Sequence, residues 1–133
     1  MNLISNIFSS LKIVAISSSL VSVSAYADKV VRYKCEYKSY SNELGIHKYE
    51  EAFGFSIIVD HKVGKAYIHG NNGADELKFV ENNDGGIGFI EVTPSGNIQT
   101  TVISKSGKSV HSRHTTLIDE LMPSQSYGKC SKK

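Results

Sequence analysis

The sequence of 133 residues contains no Trp, two Pro and two Cys. No Cys-x-x-C pair occurs, which argues against a redox-active or metal-binding pair of cysteines. No Gly-x-Ser-x-Gly motif occurs either, so the nucleophilic serine turn of the α/β-hydrolases is missing. No window shows a clear hydrophobic period of 3.6 residues, so long helices are not expected. These absences exclude several enzyme classes and a helical fold.

The charge distribution and the glycine-rich segments argue against nucleic acid, phosphate-loop ligands and calcium as partners. The chain has 15 Lys and Arg against 13 Asp and Glu, with no basic stripe interleaved with aromatic residues, so nucleic acid is not an expected partner. The glycine-rich segments 70–73 and 84–86 lack the Lys-Ser/Thr ending and the following helix of a phosphate loop, and we predict hairpin turns there. The neighbouring Asp residues do not have calcium-loop spacing. The sequence therefore predicts no cofactor and no metal.

Residues 1–27 have the features of a cleaved signal peptide. Lys12 is their single charge, and the apolar run after it, about 13 residues long, is shorter than the roughly 20 residues of a bilayer span. The Ala-Tyr-Ala sequence at 25–27 has the small-x-small pattern of a signal peptidase site, so cleavage after Ala27 is predicted. A buried helix or an uncleaved anchor is the alternative. We expect a periplasmic or secreted protein with no transmembrane segment after cleavage.

The two cysteines, Cys35 and Cys130, both lie after this segment. Because an exported chain meets an oxidising compartment, and because two cysteines allow one pairing only, we predict a disulfide between them. The bridge would join the first strand to the end of a single domain, residues 28–133. In the chain-entropy model, closing a loop of about 100 residues stabilises a fold by roughly 4.7 kcal/mol.

A hydrophobic period of two dominates the rest of the chain. Val31, Tyr33, Cys35 and Tyr37 alternate with charged residues, as in a half-buried strand. Short alternating segments then follow five Gly- or Asn-containing turns, at 61–64, 71–73, 82–86, 94–97 and 105–108. We predict an all-β fold, an antiparallel up-and-down meander of seven or eight strands with the eighth near Tyr127, curled into a small barrel or half-barrel. A β-sandwich is the alternative.

Two segments depart from this alternation. Residues 39–48 lose it and are predicted to form a loop, and residues 117–122 have room for one helical turn before Pro123 ends it. Gly54, inside the second strand, indicates a bulge or a sharp bend. The apolar faces of the strands predict a core that contains Val31, Tyr33, Phe53, Phe55, Ile57, Val59, Ile68, Leu77, Phe79, Ile87, Phe89, Ile98, Val102 and Val110.

Three segments of the C-terminal half carry a resemblance. They are FIEVTPSGNIQTT at 89–101, VHSRHT at 110–115 and PSQSYGKC at 123–130. Together they resemble a group of small, uncharacterised exported bacterial proteins, over roughly residues 53–130. The resemblance implies a bacterial origin and export, and it transfers no functional residue to this chain.

The densest polar cluster is the segment His111-Ser112-Arg113-His114. On a strand, His111 and Arg113 share one face and the other two residues share the opposite face. The two histidines therefore cannot bind one metal unless the strand is bulged, and zinc would need two further ligands from other strands. The preferred interpretation places His114 inside the barrel with a hydrogen bond, and leaves His111 and Arg113 in solvent.

Glu91 is the one candidate for general acid or base chemistry. Its alternation with Ile87 and Phe89 puts it on the apolar face of its strand. We expect it at the rim of the barrel mouth, because buried acids are rare unless they are paired. If Glu91 is buried instead, Arg113 or His114 is the natural partner, and the pair would form a site.

No complete catalytic constellation assembles from these residues. We therefore expect a non-catalytic binding or accessory domain, for a small amphipathic ligand or for an envelope protein, since barrels often hold ligands at the mouth or in the lumen. One alternative is a small periplasmic enzyme that uses Glu91 with Arg113 or His114. Another is a secreted effector or inhibitor that acts through the segment 39–48.

Overall fold

The computed structural model describes residues 30–71 and 73–133, so the predicted signal peptide lies outside the described residues. Each strand is hydrogen-bonded to the next in chain order, and the last closes onto the first in one barrel. The strands are β1 (Val30–Asn42), β2 (Gly45–Asp60), β3 (Lys65–Gly70), β4 (Gly73–Glu81), β5 (Ile87–Val92), β6 (Ile98–Ile103), β7 (Lys108–Leu117) and β8 (Glu120–Lys132). The predicted all-β meander is confirmed as a fully closed barrel. No helix in this part of the chain is long and apolar enough to cross a membrane.

The strands differ in length, and this makes the two ends of the barrel unlike. Because neighbours are antiparallel, the turns after β1, β3, β5 and β7 share one end, here called the mouth, and the other turns share the closed end. β1, β2, β7 and β8 have 13, 16, 10 and 13 residues, while β3, β5 and β6 have 6 each. The β1–β2 and β7–β8 hairpins therefore project beyond the other two at the mouth, side by side.

The predicted loop at 39–48 is wrong, because these residues form the projecting arms of β1 and β2 around a turn at Glu43 and Leu44. The alternation is weak there because the arms rise above the barrel and have no closed core to face. The predicted helical turn at 117–122 is also wrong. The chain reverses at Ile118 and Asp119, and Pro123 lies inside β8. Proline is tolerated there because Pro123 precedes Gln125, the first residue of β8 that pairs with β1.

The bulge expected at Gly54 lies beside it. The β1–β2 register shifts between Tyr37, which pairs with Phe53, and Ser39, which pairs with Lys48. Gly54 itself pairs with Glu36, and a Cβ there would lie 2.7 Å from the carbonyl oxygen of Cys35. Gly54 therefore permits a close approach of two backbones.

Apolar side chains fill the closed half of the barrel. The buried cluster consists of Tyr33, Cys35, Tyr37, Phe55, Ile57, Val59, Ala66, Leu77, Ile87, Phe89, Ile103 and Cys130, with Val31, Phe53, Ile68 and Phe79 packed against it. Ile98 and Val102 were predicted in the core but are 48% and 49% exposed, and Val110 lies beside Val102 on the outer face. β6 has β-branched residues on both faces, so its pattern does not define which face is inside.

The barrel closes where β8 meets β1, and the predicted disulfide is at this seam. Cys35 and Cys130 are paired residues on the two strands, with their Cα atoms 4.0 Å apart. Two residues away, Gly128 faces Tyr37, and a Cβ on Gly128 would collide with the backbone of Glu36 and Tyr37. Glycine is therefore required at this position for β1 and β8 to approach so closely.

Gly128→Ala should destabilise the protein by about 1–3 kcal/mol, because the added methyl group overpacks the seam. Gly88→Ala is the matched control, since a Cβ at Gly88 meets no atom closer than 4.0 Å, and its effect should stay within about 0.5 kcal/mol. Urea unfolding of the oxidised proteins measures both values. Equal stability of the two variants would contradict this account of the seam.

Candidate functional site

Three polar side chains from adjacent strands form a row across the inside of the mouth. In the sheet register Glu91 on β5 pairs with Gln99 on β6, which pairs with Arg113 on β7. All three face the interior, because each is an even number of residues from a buried core position on its strand. The short β5–β6 hairpin thus holds Glu91 and Arg113 about 10 Å apart at the backbone, two strand spacings.

The row lines an open cleft of about 500 Å³ at the mouth. Its apolar wall comes from Phe53 and Phe55 on β2 and from Ile68 on β3. Asp75 on β4 lies beside Ile68, its partner in the sheet register, and the β3–β4 turn, Thr93 and Pro94 complete the rim. The cleft therefore brings together an aromatic wall, two carboxyl groups, an amide and a guanidinium.

Glu91 is at the mouth, as predicted, but it is buried, with 8% of its surface exposed. Burial raises the pKa of its carboxyl group, and a hydrogen bond with Asp75 and the charge of Asp75 raise that pKa further. The positive charge of Arg113 acts in the opposite direction. A hydrogen bond between two carboxyl groups needs a proton on one of them, so the proximity of Asp75 favours the protonated form of Glu91.

Arg113 is held in place by its neighbours. Its guanidinium carbon lies 4.6 Å from the centre of the Phe53 ring, and its Nε donates to Nε2 of His111 at 3.4 Å. Within the described part of the chain, no carboxylate lies within 4.0 Å of its nitrogens. Its terminal NH₂ groups thus face the cleft as oriented donors without an ion-pair partner.

His111 is fully buried beneath Arg113, with its ring 5.1 Å from that of Phe55. Since Nε2 accepts from Arg113, the neutral ring carries its proton on Nδ1 and donates to Oγ1 of Thr101 at 2.8 Å. Burial, and secondly the charge of Arg113, lower the pKa of His111 to about 4. His111 therefore supports the guanidinium as a neutral acceptor.

The predicted orientation of β7 is consequently wrong. His111 and Arg113 face the interior, while His114 is exposed on the outer face beside Ile98 and Pro123. His114 cannot partner Glu91, so Arg113 alone of the two predicted partners shares its cleft. The sequence pattern failed here because the inward residues of β7 are polar and the outward Val110 is apolar, the reverse of an ordinary half-buried strand.

Tyr37 is fully buried beneath the side chains that line the cleft, with its ring against those of Phe53, Phe55 and His111. Its hydroxyl donates to Oγ of Ser109 at 2.8 Å, and the Ser109 hydroxyl donates to the carbonyl of Val102 at 2.9 Å. Burial raises the pKa of Tyr37 to about 12. A neutral, hydrogen-bonded Tyr37 therefore supports the aromatic rings and the imidazole that line the cleft.

Sequence reasoning missed Asp75, Gln99 and an aromatic pair on the projecting arms. In that pair the ring of Tyr40 lies 4.7 Å from that of Tyr49, whose hydroxyl is 2.6 Å from Oγ of Ser126. Extending the register through the turns at 94–97 and 105–108 would have found the Glu91–Gln99–Arg113 row. The aromatic pair had no such signal, because Tyr40 lies in the segment 39–48 that was predicted to form a loop and Tyr49 directly follows it.

Comparison with protein-family models, curated proteins and solved structures finds no match for this chain. Across residues 30–71 and 73–133, no group of three or more His, Cys, Asp or Glu side chains is placed to hold a metal ion. The chemistry of the cleft is therefore argued from its own side chains.

The depressed pKa of His111 predicts a specific pH dependence. The unfolded chain binds this proton near pH 6.5 and the folded protein near pH 4, so protonation favours unfolding. The stability supplied by the neutral ring is complete above about pH 6.5 and is lost as the pH falls toward 4, by about 3 kcal/mol relative to His111→Gln. Unfolding free energies of both proteins across this range measure the difference. A His111 imidazole that titrates near its ordinary value by NMR would refute the assignment.

Proposed function

We propose that this protein is an exported binding domain that holds a small amphipathic ligand in the mouth of its barrel. The single observation that carries the proposal is the open cleft of about 500 Å³, in which an aromatic wall faces the Glu91–Gln99–Arg113 row. Export, to the periplasm or outside the cell, is supported by the signal-like residues 1–27 and is consistent with the disulfide.

The apolar part of the ligand packs against Phe53, Phe55 and Ile68. These side chains are anchored in the sheet and the core, so the wall is formed before a ligand arrives. A preorganised surface loses little side-chain entropy on binding. The cleft is open on the side of the short β3–β4 and β5–β6 hairpins, which gives a ligand its route of entry.

The polar end of the ligand contains an oxyanion next to a hydrogen-bond donor. Arg113 offers oriented NH₂ donors, which suit the two oxygens of a carboxylate. Asp75 and Glu91 lie across the cleft and favour an N–H or O–H donor over a second anion. A ligand that resembles an α-amino acid with an apolar side chain satisfies both sides at once.

Filling the mouth should abolish binding. A Cβ on Gly70 would meet only the Cβ of Phe55, at 4.0 Å, so the backbone position accepts a side chain, and Gly70→Leu adds one to the lining of the cleft. We expect the dye anilinonaphthalene sulfonate to bind the natural protein saturably and to lose at least about tenfold in affinity with Gly70→Leu. Gly88→Leu, which adds the same side chain on the outer face, should bind normally. Equal dye affinity in both variants would exclude the mouth as the site.

Three probes that share the same aromatic side chain distinguish the contacts made by the carboxylate from those made by the ammonium group. L-phenylalanine has both polar groups, phenylpropionate lacks the ammonium, and phenylalaninamide lacks the carboxylate. We expect L-phenylalanine to bind most tightly, and Arg113→Gln to weaken L-phenylalanine and phenylpropionate by about tenfold while phenylalaninamide is unaffected. Lys78→Gln, an exposed cation on β4, is the control, and titration calorimetry measures the affinities. Equal losses for all three probes would show that Arg113 does not read the carboxylate.

Acid–base catalysis by Glu91 is the second candidate, favoured by its hydrogen bond with Asp75 and its raised pKa. Arg113 is the partner available to it in the cleft, and His114 is not. If the protein only binds these probes, each probe is recovered chemically unchanged after the titration. An enzyme acting on this ligand class would convert at least one of them into a product.

A further inference from the structure

The two projecting hairpins end in large apolar side chains with no core to cover them. This apolar tip, as we term it, consists of Leu44, Ile46, Leu117, Ile118, Leu121 and Met122, each more than half exposed. The β1–β2 and β7–β8 arms are neighbours through the β1–β8 pairing, so their ends project from the same side of the mouth. Clustered exposed aliphatic groups of this kind mark an interaction surface.

The backbone at the tip is strained where exposure is greatest. Ile118 and Asp119 have φ values of 48° and 63°, in the left-handed region that β-branched residues avoid. Ile118 is also 91% exposed, so the isolated molecule gains no packing in return for this strain. A glycine or asparagine would form the same turn at less cost. Isoleucine at this position is explained by a contact that another molecule supplies.

The tip is acidic as well as apolar. Glu43, Asp119 and Glu120 lie in or beside its two turns, and residues 39–47 and 114–128 contain no Lys or Arg. Segments that dock on membranes usually combine apolar residues with Lys, Arg or Trp, and anionic lipids repel acids. The charge therefore favours a partner with an apolar groove and a basic border.

The outer face of this same barrel has such a groove. A cleft of about 770 Å³, here called the basic groove, runs along β1 and β8 outside the disulfide. Lys34, Lys38, Lys129 and Lys133 line it with a single acid, Glu36. Lysine stems and the glycines of its lining present apolar surface beneath the ammonium groups. None of these lysines has an ion pair within 4.0 Å among the described residues.

We propose that the apolar tip of one copy docks in the basic groove of a second copy. The tip cannot reach its own groove, because about ten residues of β8, roughly 30 Å of strand, separate Glu120 from Cys130. In the complex, the tip side chains cover the lysine stems while Asp119 and Glu120 approach the ammonium groups. The contact joins two different surfaces of each copy, so two copies that exchange tips form a symmetric dimer, and a single contact leaves a tip and a groove free for further copies.

Sedimentation velocity of the exported, oxidised protein from micromolar to millimolar concentration tests this directly. We expect the average mass to rise with concentration to that of a dimer or a larger assembly, and to fall near 1 M salt, where the Debye length is about 3 Å. Ile118→Gly should weaken association by about tenfold or more while raising the melting temperature, because it removes the contact and the strain together. Val92→Ser, an exposed apolar residue on β5, should associate as the natural protein does.

A charge exchange identifies the two surfaces. Lys129→Glu and Asp119→Lys should each be monomeric alone, and an equal mixture should associate again because each tip then meets a groove of opposite charge. A single monomeric species at all concentrations would overturn the proposal, as would association that survives Ile118→Gly. Tip-dependent binding to vesicles of phosphatidylethanolamine and phosphatidylglycerol, without self-association, would assign the tip to a membrane instead.

Discussion

The close pairing of β1 with β8 is the constraint on which the other features depend. The Cys35–Cys130 bridge and the glycine at 128 let the two strands approach at the seam, which closes the meander into a barrel. The same pairing sets the β1–β2 and β7–β8 hairpins side by side. Because β3 to β6 are shorter, the closed barrel has a high rim formed by β1, β2, β7 and β8 and a low rim formed by β3 to β6. The cleft lies between these two rims.

The cleft combines an aromatic wall with polar side chains whose hydrogen-bond donors and charges are not all paired within the protein. A packed apolar core fills the barrel below it, and the neutral His111 holds Arg113 against Phe53 from beneath. Glu91 and Asp75 share a hydrogen bond opposite that cation. A protein needing only stability would gain more from apolar residues here. The polar row therefore supports the proposed role in ligand recognition.

Sequence alone predicted the meander, the five turns between β2 and β7 and the disulfide, because period-two alternation and glycine turns are local signals. It did not predict which face of β6 and β7 is inside, since Val102 and Val110 are apolar but outward while His111 and Arg113 are polar but inward. It placed Glu91 at the mouth correctly and underestimated its burial. Asp75 lies on β4, two residues from the position that the β4–β5 register places opposite Glu91, so extending that register would have brought the two carboxyl groups together.

Ligand binding is assigned to the mouth rather than to the grooves on the outer face. Amide chemical-shift mapping of the isotope-labelled protein during a titration with L-phenylalanine tests that location most directly. We expect the perturbed amides to cluster at Phe53, Asp75, Glu91, Gln99 and Arg113. Shifts that cluster instead around Lys34, Lys129 and the disulfide, with the mouth unchanged, would contradict the account.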